Sequence, residues 1–331
     1  MPCTPSFLRT VFLNQQPTPP SPLSAAGNMS QRVQKPRSKS TVTADKAPLL
    51  VSQSLAASLL RFYDYPHPMR PGHTIRGYDR QHALRTARMS AAIALRLGHA
   101  PDKARRFQIA CLLHDLGRAG LDRKLFGRIW SWAREHDVPT RPREWRAAYP
   151  ETTYGRETES FLKYYGNDLE SAGIPMDAWA REQVEMRLGF ARRMNRRLRE
   201  VKPELESLGV QWVPWMTRVT LYYYYPEKLA NDAPWIRQLG ETLVACEQFE
   251  AHNNRQRGRD YYCRDKETVH EAIDYLETLH GDRIISAAVM NALVSLAAEG
   301  AFDQVIVQAR GVPITTHERT ALQKLAAMRS H

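Results

Sequence analysis

The sequence predicts an all-α fold, because apolar residues recur at helical spacing after Leu49 and signals for β-strands are almost absent. The 331 residues are 43% hydrophobic and 25% charged, the balance of a globular protein rather than of a disordered or membrane one. No apolar run approaches the roughly 18 residues that span a bilayer. We expect a helical domain over 49–300, a disordered basic arm over 1–48 and a C-terminal appendage over 301–331.

Proline and charge predict the disordered arm. Eight of the 21 prolines lie within residues 1–48, with six basic residues and one acid, Asp45. Such a segment has too few apolar side chains to offset the entropy lost on ordering. The arm is expected to be solvated or to touch an anionic partner.

Cysteine usage and net charge limit the compartment and the partners. Four cysteines without a CxxC pair predict neither a disulfide framework nor a zinc ribbon, and they fit a reducing cytoplasm. A formal net charge of +12 suits an anionic ligand, a nucleic acid or an acidic partner, and it is also typical of an ordinary basic surface.

Apolar spacing and capping signals place the helices in chain order. The first helix is predicted over 50–63, and a long second one runs over 78–97 and ends at Gly98. Pro101 opens the next helix, which is expected to reach Leu116. Further helices are predicted over 121–136, 155–165, 177–200, 213–225, 235–254, 266–280, 284–298 and 316–329. A short apolar run, Val305 to Val307, favours a strand.

His114 and Asp115 form an adjacent pair near the end of the predicted third helix. His114 continues an apolar stripe, three residues after Cys111. A carboxylate buried there costs several kcal/mol, in order-of-magnitude terms, unless a metal ion or an arginine compensates it. The alternative is a core histidine beside a capping aspartate near Gly117.

The wider pattern resembles the HD superfamily of metal-dependent phosphohydrolases. His82-Ala83-Leu84-Arg85 opens the preceding helix, 32 residues before His114, and the stretch from Leu112 to Leu121 reads LLHDLGRAGL. These segments are most similar to the HD-GYP branch, whose members hydrolyse cyclic di-GMP. Its typical pattern is His-x-x-Arg-Val followed by Leu-Leu-His-Asp-Ile-Gly-Lys-x-Gly-Ile.

The resemblance continues downstream and implies an HD-domain helical bundle. Residues 245–251 are similar to the branch's Ala-Asp-x-Phe-Asp-Ala segment, and residues 266–294 to its closing helices. The similar region covers about 78–298, two thirds of the chain.

Departures from the branch pattern fall at its metal ligands. Tyr149 stands where a histidine is typical, and Tyr224 and Tyr225 stand where the branch has a His-His pair. The Gly-Tyr-Pro signature is absent, and Glu247 replaces an aspartate. Tyrosine is a poor ligand for a hard divalent ion, so a site with two or three metal ions is not expected.

The resemblance implies a reduced site with one divalent transition metal ion, either Mn, Fe, Ni or Zn. Its expected ligands, called the candidate quartet below, are His82, His114, Asp115 and Glu247. Asp115 and Arg118 are the expected catalytic residues, and Arg85 and Arg118 the expected phosphate-binding ones. For Arg85, an ion pair with Asp115 is the structural alternative.

Two function classes follow. The first is a metal-dependent phosphohydrolase that acts on a phosphate-containing small molecule, such as a nucleotide or cyclic dinucleotide. The second is a catalytically inactive module that binds a nucleotide or a signalling protein. A third interpretation treats His114 and Asp115 as purely structural.

Two further patterns remain open at this point. An arginine-rich helix over 181–202 predicts either a solvated face or a surface for phosphate or nucleic acid. The run from Tyr222 to Tyr225 predicts either core packing or stacking on a purine base.

Overall fold

A computed structural model describes residues 47–257 and 268–329, and these residues form the predicted all-α fold. The expected arm over 1–48 lies outside the described residues, except for Ala47 and Pro48. Ala47 is buried, and its N–H donates a hydrogen bond to the backbone oxygen of Ala301 at 3.1 Å. Residues 266 and 267 of the expected helix 266–280 also lie outside the described residues.

Fifteen α-helices are present within the described residues. In chain order they are α1 (Gln53–Arg61), α2 (Arg80–Arg96), α3 (Pro101–Leu112), α4 (Arg123–Glu135), α5 (Pro142–Ala148), α6 (Glu157–Ser171), α7 (Ala178–Leu188), α8 (Phe190–Ser207), α9 (Pro214–Thr220), α10 (Pro234–Asn253), α11 (Arg255–Arg257), α12 (Val269–Gly281), α13 (Ala287–Ala298), α14 (Asp303–Arg310) and α15 (Thr316–Arg329). Short 3₁₀ turns cover Leu116–Arg118 and Pro226–Leu229, and a two-residue antiparallel hairpin pairs β1 (Tyr65–Pro66) with β2 (Thr74–Ile75).

Two hydrophobic cores organise these helices. In the larger core α2 packs against both α3 and α10, and α13, α14 and α15 close the bundle. The smaller core contains residues of the four helices α4, α5, α6 and α7, packed around Trp130, Trp145 and Phe161. Because α2, α10 and the turn after α3 carry the residues singled out from the sequence, the larger core positions the candidate site. No helix among the described residues is long and apolar enough to cross a membrane.

The prediction of a strand at Val305 to Val307 is wrong. These residues lie in α14, where Val305, Ile306 and Ala309 are buried at helical spacing. The helix expected over 177–200 is two helices, α7 and α8, which meet at Gly189. A side chain at Gly189 would place a Cβ 2.8 Å from the hydroxyl of Thr158, so glycine allows α6 to approach this junction.

The third helix ends four residues earlier than expected, at Leu112 rather than near Leu116. Its last carbonyl groups are bonded by side chains, because His114 Nδ1 lies 2.7 Å from the oxygen of Cys111 and the Tyr63 hydroxyl donates to the oxygen of Leu112 at 3.1 Å. The same hydroxyl accepts a hydrogen bond from the N–H of Asp115 at 3.2 Å. His114 and Asp115 therefore lie in a buried turn held by Tyr63, not on a helix face.

Candidate metal centre

Two helices and one turn bring the candidate quartet together. His82 lies in the first turn of α2, and Glu247 lies on α10. The turn after α3 supplies His114 and Asp115. Each of the four residues offers one donor atom, these atoms lie within 4.8 Å of one another, and all four residues are buried. Two imidazoles and two carboxylates thus surround one position.

The two histidines direct Nε2 toward this position. Nδ1 of His82 is hydrogen-bonded to Glu250, and Nδ1 of His114 to the Cys111 backbone oxygen. Both Nε2 atoms are buried without a hydrogen-bond partner among the described residues, and each lies 3.7 Å from Oδ2 of Asp115. We assign the proton to Nδ1 in both rings, because the ionised carboxylate of Glu250 and the carbonyl oxygen of Cys111 can only accept a hydrogen bond. Metal-ligating histidines typically have this arrangement, which leaves the Nε2 lone pair free.

The Glu247 carboxylate completes the donor set. Its residue is 8% exposed, and no hydrogen bond or ion pair to it is found within the described part of the chain. A cation bound at this position would pair with the Glu247 carboxylate and would also satisfy the two Nε2 atoms. The donor set therefore fits a divalent transition metal ion.

Asp115 is held by two arginines. Its Oδ2 lies 3.1 Å from Nη1 of Arg118 and 2.6 Å from Nη2 of Arg257. Burial alone would raise the pKa of Asp115, but the charges of Arg118 and Arg257 oppose it, and that pKa lies far below its usual range. Asp115 is therefore a carboxylate at any ordinary pH.

Arg85 is bonded to Glu250, so the ion pair with Asp115 considered from the sequence is wrong. Nε and Nη2 of Arg85 each lie 2.6 Å from Oε1 of Glu250. Burial raises the pKa of Glu250, but His82 and Arg85 outweigh it and lower that pKa to about 2. The ionised Glu250 links Arg85 to the imidazole of His82.

Arg118 is the most exposed charged group at the centre. Its side chain is 18% exposed, against 2% for Asp115. Nη2 donates to the hydroxyl of Tyr224 at 3.2 Å, and the guanidinium lies 5.8 Å from the ring centroid of Phe190. Tyr224 stacks on Phe190 with 4.5 Å between the ring centroids. Asp115 and Tyr224 thus fix the orientation of the Arg118 guanidinium, which remains accessible to a small anion.

Three buried residues of the centre were missed by the sequence analysis, namely Asp79, Glu250 and Arg257. Asp79 precedes His82 by one helical turn, and Glu250 follows Glu247 by one turn. Such spacing places side chains on one helix face and could have indicated both acids. Arg257 carries no comparable signal, because it lies beyond the end of α10 and reaches Asp115 only through the tertiary fold.

Seven charged side chains lie at the centre, and we call them the charge cluster. Its four carboxylates and three guanidinium groups belong to Asp79, Asp115, Glu247, Glu250, Arg85, Arg118 and Arg257. With neutral imidazoles the charge cluster therefore carries a single net negative charge. One divalent cation would reverse its sign and make it attractive to a phosphate anion.

The three tyrosines that the resemblance aligns with histidines of the HD-GYP branch have different surroundings. Only Tyr224 of the three contacts Arg118, and burial raises its pKa to about 12. Tyr149 hydrogen-bonds to Tyr165 and stacks on Trp145 in the smaller core. Tyr225 lines a separate cavity beside Tyr154. Tyr224 is accordingly the tyrosine that belongs to the centre.

Most of the arginine-rich helix face is used in intramolecular contacts. Arg192 and Arg196 pair with Glu185, and buried Arg193 pairs with Glu182. Arg193 also donates to the backbone oxygen of Ala119 at 2.7 Å. These bonds tie α8 to α7 and to the segment after Arg118, which explains the charges without a bound nucleic acid.

Comparison with known protein families agrees with this geometry. A family model described as HD domain matches residues 80–143. The matched segment contains His82, His114 and Asp115, whereas Glu247 lies outside it. The match supports the HD superfamily, a class of metal-dependent phosphohydrolases, for this part of the chain. No curated protein and no solved structure gives a significant match to the chain.

Proposed function

We propose that this protein is a metal-dependent phosphohydrolase that works with a single divalent ion held by the candidate quartet. The observation that carries the proposal is the pair of buried Nε2 atoms, of His82 and His114, which face two carboxylates and have no hydrogen-bond partner within the described ranges of the chain. The candidate metals are Mn, Fe, Ni and Zn. When bound, such an ion would lower the pKa of a water molecule and polarise a phosphoryl oxygen.

The residues around the quartet divide into two roles. Arg118 binds and orients a phosphate oxygen of the substrate, because its guanidinium is partly exposed and lies beside Asp115. Asp115 is a ligand that also holds Arg118 in place. Arg85 was expected to bind phosphate, but its guanidinium is buried on Glu250. A phosphate would have to compete with that carboxylate, so we assign Arg85 to positioning His82 through Glu250.

The substrate class that we propose is a nucleotide phosphoester. The resemblance to the HD-GYP branch makes cyclic di-GMP the first natural phosphodiester to test. A single ion stabilises fewer developing charges than a two-metal clamp, which contacts both the attacking and the leaving oxygen. We therefore expect weak hydrolysis of activated phosphodiesters and slow or absent turnover of cyclic di-GMP.

The test compares metal-dependent turnover in the parent protein and matched variants. An activated phosphodiester such as bis(p-nitrophenyl) phosphate, and cyclic di-GMP, are each incubated with the full chain and Mn²⁺. Activity should require the ion and should be lost in His114→Ala and Asp115→Ala. His270→Ala is the matched control, since that histidine is exposed on α12.

Two results would contradict the proposal. Turnover that persists undiminished in His114→Ala and Asp115→Ala would exclude a metal-centred mechanism. Nucleotide binding without any turnover in the parent protein would instead favour the inactive binding module.

A further inference from the structure

Arg257 places a guanidinium group directly between two carboxylates of the charge cluster. Its Nη2 lies 2.5 Å from Oδ1 of Asp79 and 2.6 Å from Oδ2 of Asp115. All three side chains are almost fully buried. The same oxygen of Asp115 lies 3.7 Å from Nε2 of both His82 and His114, so Arg257 contacts the carboxylate that faces these two members of the candidate quartet.

Asp79 is the second acid that this guanidinium neutralises. It stands at the N-cap of α2, three residues before His82, and is 1% exposed. Its other oxygen, Oδ2, is buried without a hydrogen-bond partner among the described residues. A carboxylate oxygen in that condition is a free ligand, and it adjoins an acid that already belongs to the quartet.

We propose that Arg257 is an internal cation that occupies the place of a second metal ion, between Asp79 and Asp115, and so limits the centre to one ion. This inference rests on the proposed function, because it requires the quartet to bind the first ion. The guanidinium satisfies one oxygen of each acid and supplies the positive charge that a second divalent cation would bring. It also repels such a cation at close range, where little water screens the interaction.

The charge balance of the cluster supports this assignment. With Arg257 present, one divalent ion brings the cluster from one net negative charge to one net positive charge. A second divalent ion would then have to enter a buried region that is already positive. Without the Arg257 guanidinium, the cluster has one more net negative charge, and Asp79 and Asp115 both have oxygens available for a cation. Carboxylate oxygens are the ligands that Mn²⁺ and Mg²⁺ accept readily.

The experiment measures metal stoichiometry, not activity. The full-length parent protein, Arg257→Ala and Arg257→Lys are dialysed against excess MnCl₂, and bound manganese is counted by elemental analysis. We expect one ion per chain in the parent and in Arg257→Lys, which keeps the cation, and two in Arg257→Ala. The double variant Arg257→Ala with Asp79→Asn should return to one ion, because it lacks the second acid.

The outcomes separate this inference from the proposed function. One ion in the parent and still one in folded Arg257→Ala would overturn the inference and leave the proposed function standing. No ion in the parent would overturn both. Two ions in the double variant would show that Asp79 is not a ligand and would also overturn the inference. If Arg257→Ala does not fold by circular dichroism, Arg257→Gln removes the charge while it keeps most of the side-chain volume, and the same count decides.

Discussion

Glu250 hydrogen-bonds to Nδ1 of His82, and this contact directs the opposite ring nitrogen toward the other members of the candidate quartet. The carboxylate lies one helical turn from Glu247 on α10, so a single helix carries a proposed ligand and the acid that orients another ligand. Arg85 contacts Oε1 of Glu250, whereas His82 contacts Oε2 of the same carboxylate. The centre is therefore organised by a chain of contacts from Arg85 through Glu250 to His82.

Replacing Glu250 tests this chain of contacts. Glu250→Gln removes the charge that fixes His82, and loss of such an outer contact typically lowers metal affinity by about 10–100-fold. The affinity is measured by titrating Mn²⁺ into the metal-free protein. Glu299→Gln is the matched control, because Glu299 makes an exposed ion pair with Arg96. Equal affinities in the two variants would show that Glu250 does not orient a ligand.

Tyr63 is expected to stabilise the turn that carries His114 and Asp115. Tyr63→Phe leaves the Leu112 oxygen and the Asp115 N–H without their hydroxyl partner. Burying unsatisfied groups costs about 1–3 kcal/mol, so the free energy of unfolding should fall by that amount in urea denaturation. Tyr164→Phe, at an exposed tyrosine, should leave the free energy nearly unchanged. A Tyr63→Phe variant with the same free energy of unfolding as the parent would mean that the turn does not depend on this hydroxyl.

Gly117 is required by the close approach of α8 to the 3₁₀ turn. A Cβ at Gly117 would lie 2.8 Å from Cε2 of Phe190. Overpacking of this kind costs about 1–3 kcal/mol, so Gly117→Ala should unfold at a lower denaturant concentration. Gly127→Ala is the control, since nothing lies within 4 Å of a Cβ there and alanine suits the interior of α4 better by about 0.5–1 kcal/mol. Equal denaturant midpoints for Gly117→Ala and Gly127→Ala would contradict the packing argument.

The contact between α14 and α15 should depend on pH. Burial raises the pKa of Glu318, but hydrogen bonds from Arg310 and from the backbone N–H groups of Thr315 and Val269 outweigh it and lower that pKa to about 2. A lowered pKa means that ionised Glu318 stabilises the fold at neutral pH and that this contribution is lost as the pH falls from near 4.5 toward 2. Denaturant midpoints of the parent and Glu318→Gln should therefore differ most above pH 5 and converge in acid. If the two denaturant midpoints differed by the same amount at every pH, ionised Glu318 would not stabilise the fold as described.

Helical spacing and the HD pattern together predicted the fold class and the four residues of the candidate quartet. Apolar periodicity predicted the helices, and the resemblance to the HD superfamily implied the four residues of the candidate quartet. The end of α3 was placed too late, because the bond from the distant Tyr63 to the Leu112 oxygen leaves no trace in local periodicity. Likewise, Val305 to Val307 are three consecutive β-favouring residues, but the buried helical spacing around them makes this segment part of α14.

The charged groups around the quartet were harder to predict than the quartet. Arg257 meets Asp79 and Asp115 across large separations in the chain, and an ion pair of that kind depends on the whole tertiary arrangement. The arginines of α8 were ambiguous for the same reason, since a solvated face, an anion-binding face and a set of internal ion pairs share one composition. The packing of α7 against α8 determines which carboxylates pair with these arginines.

The central claim is that the candidate quartet holds one catalytic metal ion, and the metal content of the purified chain tests it most directly. After dialysis against Mn²⁺ and removal of free ion, elemental analysis should find one ion per chain in the parent protein and in the control His270→Ala. Asp115→Ala should retain none, because it lacks the carboxylate that faces both imidazoles at 3.7 Å. A parent protein that binds no ion, or an Asp115→Ala variant that binds as much as the parent, would contradict the account.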